Sequence, residues 1–168
     1  MESGAGAPNA VPAHDILPER PRLTHLALRV SDVERSIEWY EGHTPLRLLK
    51  RFSDEFGVGV WLANPEDRAC PFVLVLSEFD PDKDPFGFAL PTVLGPYAHI
   101  GFELDSRAAV EEVAARAEEE GSLAYPVTQM QPPIGLICFV EDPDGNTIEF
   151  SYDQGTYAIW REQWGDGS

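Results

Sequence analysis

Two stretches of the chain, Leu23 to Val30 and Tyr97 to Leu104, alternate in the two-residue rhythm of a strand with one buried face. Each runs into a pair suited to cap a helix, Ser31–Asp32 or Asp105–Ser106, and then into helical spacing of apolar positions. Val33, Ile37, Trp39 and Tyr40 form the first stripe. Val110, Val113, Ala114 and Ala117 form the second, and Gly121 is placed to end that helix near Glu120. His25 and His99 hold the same place in the two stretches, 74 residues apart. The same offset carries Phe72–Leu76 onto Asn146–Phe150 and Val60–Leu62 onto Ile134–Leu136. Turn-forming segments lie at Asn64–Asp67 and Asp142–Gly145. One offset that aligns strand, helix and strand identifies an internal repeat.

The expected fold is therefore α+β: two tandem βαβββ modules forming a cup-shaped, mixed or antiparallel sheet with helices on its outer face. The modules are assigned to 22–79 and 97–152, within one domain overall. Residues 1–21 read as a flexible arm, 80–96 as a Pro-, Gly- and Asp-rich linker suited to a lid, and 153–168 as a tail. In the tail, Trp160 and Trp164 share one helical face, suited to docking on the body, on a second subunit or over the cup. A half of this size cannot bury its sheet alone, so the modules must pair, within one chain or by exchange between two. A homodimer is expected.

Composition narrows the functions. Twelve Lys and Arg against 29 Asp and Glu give a formal charge of −17, which repels phosphate backbones and anionic membranes. Neither nucleic acid nor membrane is an expected partner; a small-molecule substrate is. No apolar run spans a bilayer and no signal peptide is evident, so a cytoplasmic location is expected. Cys70 and Cys138 lack CxxC spacing and read as buried structural thiols.

Strand parity then supplies chemistry. Thr24, Leu26, Leu28 and Val30 face the helix, leaving His25, Ala27 and Arg29 on the concave side; Ala98, Ile100, Phe102 and Leu104 leave Tyr97, His99, Gly101 and Glu103 there. Ile148 and Phe150 likewise leave Glu149 on the concave face, where a buried carboxylate needs a partner. His25, His99 and Glu149 thus form a candidate site for one divalent metal ion, with positions left open for substrate. Arg29, Val73, Val75 and Tyr97 are candidate pocket residues.

The motifs LTHLALRVSD (residues 23–32) with SIEWY (36–40), AHIGF (98–102) and FVEDPDGNTIE (139–149) resemble the vicinal oxygen chelate superfamily, which includes glyoxalases, bleomycin-resistance proteins and extradiol dioxygenases. The resemblance covers about residues 22–152 and implies paired modules around a metal. Four-ligand members draw on the first and last strand of each module, yet the position matching Glu149 is Val75. Glu78, the nearest acid, should face the other way and reads as a solvated strand-end charge. A His, His, Glu set is what extradiol ring-cleaving dioxygenases look like, which favours Fe(II), with Mn, Ni or Zn as alternatives. A glyoxalase- or epimerase-like lyase or isomerase is the second expectation, and a non-catalytic drug-binding protein the third. Ring cleavers commonly keep a further His and Tyr. His14, in the arm, and His43, at a helix end, are not placed to serve.

Overall fold

The computed structural model describes residues 22–67, 72–84 and 93–165. The element order is β1 (His25–Arg29), α1 (Val33–His43), β2 (Arg47–Asp54), β3 (Gly57–Ala63), β4 (Val73–Phe79), then β5 (Ile100–Glu103), α2 (Arg107–Glu120), β6 (Leu123–Gln129), β7 (Leu136–Glu141), β8 (Thr147–Tyr152) and α3 (Thr156–Trp164). The chain is thus two βαβββ modules followed by a helix. The proposed arm and Cys70 lie outside the described residues.

Each module forms a four-stranded sheet in which the last strand lies between the first strand and the third, giving the orders β1-β4-β3-β2 and β5-β8-β7-β6. The first and last strands run parallel and the others antiparallel, because the helix carries the chain across to the far-edge strand in the direction of the first, and two reversals then bring the last strand back in that same direction. The repeat offset holds where it positions chemistry: Val33 with Arg107 and Val73 with Thr147 open equivalent elements, and His99, the counterpart of His25 at the head of β1, immediately precedes β5. Between them it breaks. α2 has 14 residues against 11 in α1, so Ile134 and Gly135 precede β7 whereas Val60 and Leu62 sit within β3.

Local signals set the helix ends. Asp32 accepts from the Arg35 amide and Ser106 from the Ala109 amide, while Gly121, at φ 74°, closes α2 in the left-handed region that a side chain disfavours. α1 continues to His43, beyond the Tyr40 at which the apolar stripe ends.

One apolar core joins both modules: Leu28, Val30, Ile37, Tyr40, Leu62 and Leu76 cluster with Val110, Ala114, Cys138, Val140, Ile148 and Phe150. Polar bonds between modules run from α1 and its approach. The Tyr40 hydroxyl donates to Asp142 Oδ2 at 2.8 Å, the Ser31 amide to Asp144 Oδ1 at 3.0 Å, and Arg116 Nη1 to the Gly42 carbonyl at 2.9 Å. His43 Nε2 lies 2.9 Å from Glu120 Oε2. The β7–β8 turn is therefore more than a hairpin. Asp142 also accepts from the Asp144 and Asn146 amides and from Asn146 Nδ2, and Asn146 Oδ1 accepts from the Leu94 amide.

Candidate metal centre

The concave face of the first sheet can be read from its register. Ala27 pairs with Val75 and Val75 with Trp61, which pairs with Lys50; His25 pairs with Val73. Their neighbours Leu28, Leu74, Leu76, Val60 and Leu62 are buried on the other side, as parity requires. A cleft of about 360 Å³ lies over this face, lined by Thr24, His25, Ala27, Trp61, Val73 and Val75. His25 Nδ1 is 3.0 Å from the Thr24 hydroxyl. Thr24, expected on the helix side, instead reaches the cleft, because it precedes β1 and escapes the pleat.

In the second sheet Glu149 stands mid-strand and buried, paired with Gly101 on one side and Phe139 on the other. A side chain at Gly101 would meet nothing within 4 Å, so space is open beside the carboxylate. His99 Nε2 lies 3.5 Å from Glu149 Oε2. His99 Nδ1 is 2.9 Å from the Tyr97 carbonyl, which can only accept, so Nδ1 carries the proton and the Nε2 edge is the one turned to Glu149. Phe139 and Tyr97 flank the imidazole at ring distances of 5.6 and 5.8 Å, and Tyr125 packs on Phe139.

An imidazole Nε2 beside a buried carboxylate is a donor set that fits a borderline divalent ion. These two groups are brought together, but His25 is not: among the described residues no three His, Cys, Asp or Glu side chains form a metal-holding group within one chain. Of the expected trio, one chain therefore brings His99 and Glu149 together and leaves His25 apart, with the pairing of modules within or between chains still open. The reason is architectural. Each sheet keeps its own concave face, and the bonds between modules lie along α1, α2 and the β7–β8 turn rather than across the cup.

Two further expectations change. Glu78 does face away from His25, since β3 and β4 pair without a bulge, but it is not a solvated charge: its Oε2 accepts from the Val33 amide at 2.8 Å and so caps the start of α1. Arg29 donates to Asp84 at 2.5 Å and lies 5.1 Å from the Phe79 ring centroid, so the concave cation is already paired by the linker. Tyr97 is 95% exposed, at φ 71°.

Several residues of the site were not singled out from sequence. Tyr125 and Phe139 follow from parity along β6 and β7 once the register is known; Trp61 follows from its pairing with Val75. Gln154 carried no signal. It lies beyond β8, yet its Nε2 donates to Glu149 Oε1 at 3.0 Å. Among the described residues no helix is long and apolar enough to cross a membrane.

Comparison with known proteins agrees with this architecture. A chain of Pseudomonas aeruginosa, itself uncharacterised, is 38% identical over 135 residues, 80% of this chain and 90% of the relative. Lactoylglutathione lyase of Haemophilus influenzae is 31% identical over 141 residues, 80% of this chain and 95% of the enzyme. Among solved structures, the trypanothione-dependent glyoxalase I of Leishmania major matches with a TM-score of 0.61 at 23% identity, covering 86% of this chain and 98% of that one, a likeness of fold. Residues 22–150 match the family model, and the chain belongs to the Glyoxalase/Bleomycin resistance protein/Dioxygenase superfamily.

Proposed function

We propose that this chain is a metal-dependent enzyme whose divalent ion is held by His99 and Glu149 of one copy and His25 of a second. When bound, the ion would supply Lewis acidity to a small oxygen-bearing substrate. The observation that carries the reading is the His99–Glu149 pair, with Nε2 3.5 Å from a carboxylate oxygen on a strand where burial demands a partner. His25 lines an open cleft of its own module, so a homodimer that sets one concave face against the other completes the trio.

The chemistry best supported is a glyoxalase- or epimerase-like lyase or isomerase reaction, in which a proton moves between carbons that bear the chelated oxygens. Relatives named lactoylglutathione lyase support this class. In this reading Gln154 holds one Glu149 oxygen, and Phe139, backed by Tyr125, packs on one side of His99. Trp61, Val73 and Val75 offer an apolar and aromatic wall, Arg29 is occupied by Asp84, and the net charge is −17. These features favour an apolar or aromatic substrate over a polyanionic thiol conjugate. A soluble, cytoplasmic setting suits such an enzyme.

One observation favours a second reading. Val75 stands where a fourth ligand would, leaving the three-ligand His, His, Glu set suited to Fe(II) and ring-cleaving dioxygenation of a catechol. Metal analysis of anaerobically purified protein, followed by assays with lactoylglutathione, aromatic α-hydroxy ketones and catechols, separates the two. Nickel, zinc or manganese with ketone or thioester turnover and no oxygen uptake supports the lyase or isomerase. Stoichiometric iron with catechol-dependent oxygen uptake replaces it with the dioxygenase. Protein that takes up no metal yet binds aromatic ligands overturns both in favour of a drug-binding protein.

A further inference from the structure

Glu149 has two oxygens with different surroundings. Oε2 faces His99 Nε2 at 3.5 Å, while Oε1 accepts from Gln154 Nε2 at 3.0 Å. Gln154 is itself held. Its backbone amide donates to Glu103 Oε1 at 3.0 Å, and the next amide, Gly155, donates to the Pro133 carbonyl at 2.7 Å.

The turn that delivers it is unusual. Asp153 adopts φ 58°, in the left-handed region that few residues besides glycine, asparagine and aspartate enter, immediately after β8. Such conformations persist where surrounding bonds fix them, and they gather at functional sites. Here the turn sends the chain back so that one residue reaches two acidic groups, with a backbone amide for Glu103 and a side-chain amide for Glu149. A neutral amide suits this place. It satisfies one lone pair of a buried carboxylate without supplying a positive charge that would compete with a cation for the other oxygen.

We infer that Gln154 is a positioning residue for the metal centre, holding Glu149 Oε1 so that Oε2 stays presented beside His99. The inference rests on the metal reading given above. Outer partners of this kind, when removed, weaken metal affinity by about 10- to 100-fold.

The test uses the full-length protein, with Co(II) as a spectroscopic probe and Zn(II) for affinity. Gln154→Met keeps volume and chain direction but lacks the donor. Gln154→Asn keeps the amide but falls one methylene short, and guards against a variant that does not fold. Both should weaken Zn(II) binding by about 10-fold or more and alter the Co(II) visible spectrum. In the Glu149→Gln background, Gln154→Met should produce little further loss, because both substitutions act on one interaction. A residue with only a structural role would lower the melting temperature and leave the Co(II) spectrum and the affinity of the folded protein unchanged. That result, or additive losses in the double variant, overturns the role of Gln154 while leaving the metal reading intact. Parent protein that binds neither ion overturns both.

Discussion

Replacing Tyr40 with Phe removes one hydroxyl at the seam between the modules. Tyr40 is fully buried, Asp142 is 5% exposed, and the bond between them is 2.8 Å long. A hydrogen bond to a charged acceptor contributes about 1.5–3 kcal/mol, and the loss is felt in full because water cannot reach the vacated lone pair. Asp142 keeps its bonds from Asn146 and the Asp144 amide, which places the cost near the middle of that range, at about 2 kcal/mol. Against a urea slope of about 2 kcal/mol per molar, the unfolding midpoint should fall by about 1 M. The pH dependence gives an independent sign. Burial, followed by the charge of Asp142, raises the Tyr40 hydroxyl above its ordinary value of 10.0. Above about pH 10 the unfolded chain releases this proton while the folded chain retains it, so the parent loses stability as pH rises. Tyr40→Phe lacks that loss, and the gap between the two proteins should narrow from pH 9 to pH 11. Equal midpoints at pH 7, or a gap that widens with pH, would refute the reasoning.

Three further outcomes follow. Glu78→Ala should cost about 0.5–2 kcal/mol of stability by uncapping the Val33 amide, with metal affinity unchanged in a zinc titration. Val75→Glu restores a carboxylate to the concave face beside His25. It should tighten metal binding and change the Co(II) spectrum, whereas weaker binding would argue against His25 as a ligand. The Cys138 thiol is pushed up to about 11 by burial, so at pH 8 its thiolate fraction is about 100-fold below that of an ordinary thiol. Mass spectrometry should find Cys138 unmodified by iodoacetamide until the protein is unfolded.

Parity and repeat carried the fold because each strand buries one face: Leu28, Leu76, Ile148 and Phe150 lie where alternation puts them. The same logic put His99 and Glu149 on one face, and they do meet. His25 escaped it, because parity states which side a residue faces but not which sheets face each other. The arrangement of the modules depends on long-range bonds such as Tyr40 with Asp142 and Arg116 with Gly42, and no local pattern encodes these. The hairpin residues Asp142 to Asn146 were legible as turn chemistry, but their role in joining the modules was not. Glu78 shows the same limit: its direction was readable, its partner was not. Gln154 depends on the turn at Asp153 to Gly155, whose residues announce a reversal but not which side chain it returns to Glu149.

Subunit complementation tests the proposal of a metal centre shared between two copies most directly. His25→Ala and His99→Ala chains should each lose tight zinc binding. Unfolded together and refolded as a mixture, they should form heterodimers in which one site has His25 from one chain and His99 with Glu149 from the other. The mixture should recover about a quarter of the parent's tight sites, since half of the dimers are mixed and each carries one intact site. Recovery of none, with dimers demonstrably mixed, would contradict a centre built from two copies.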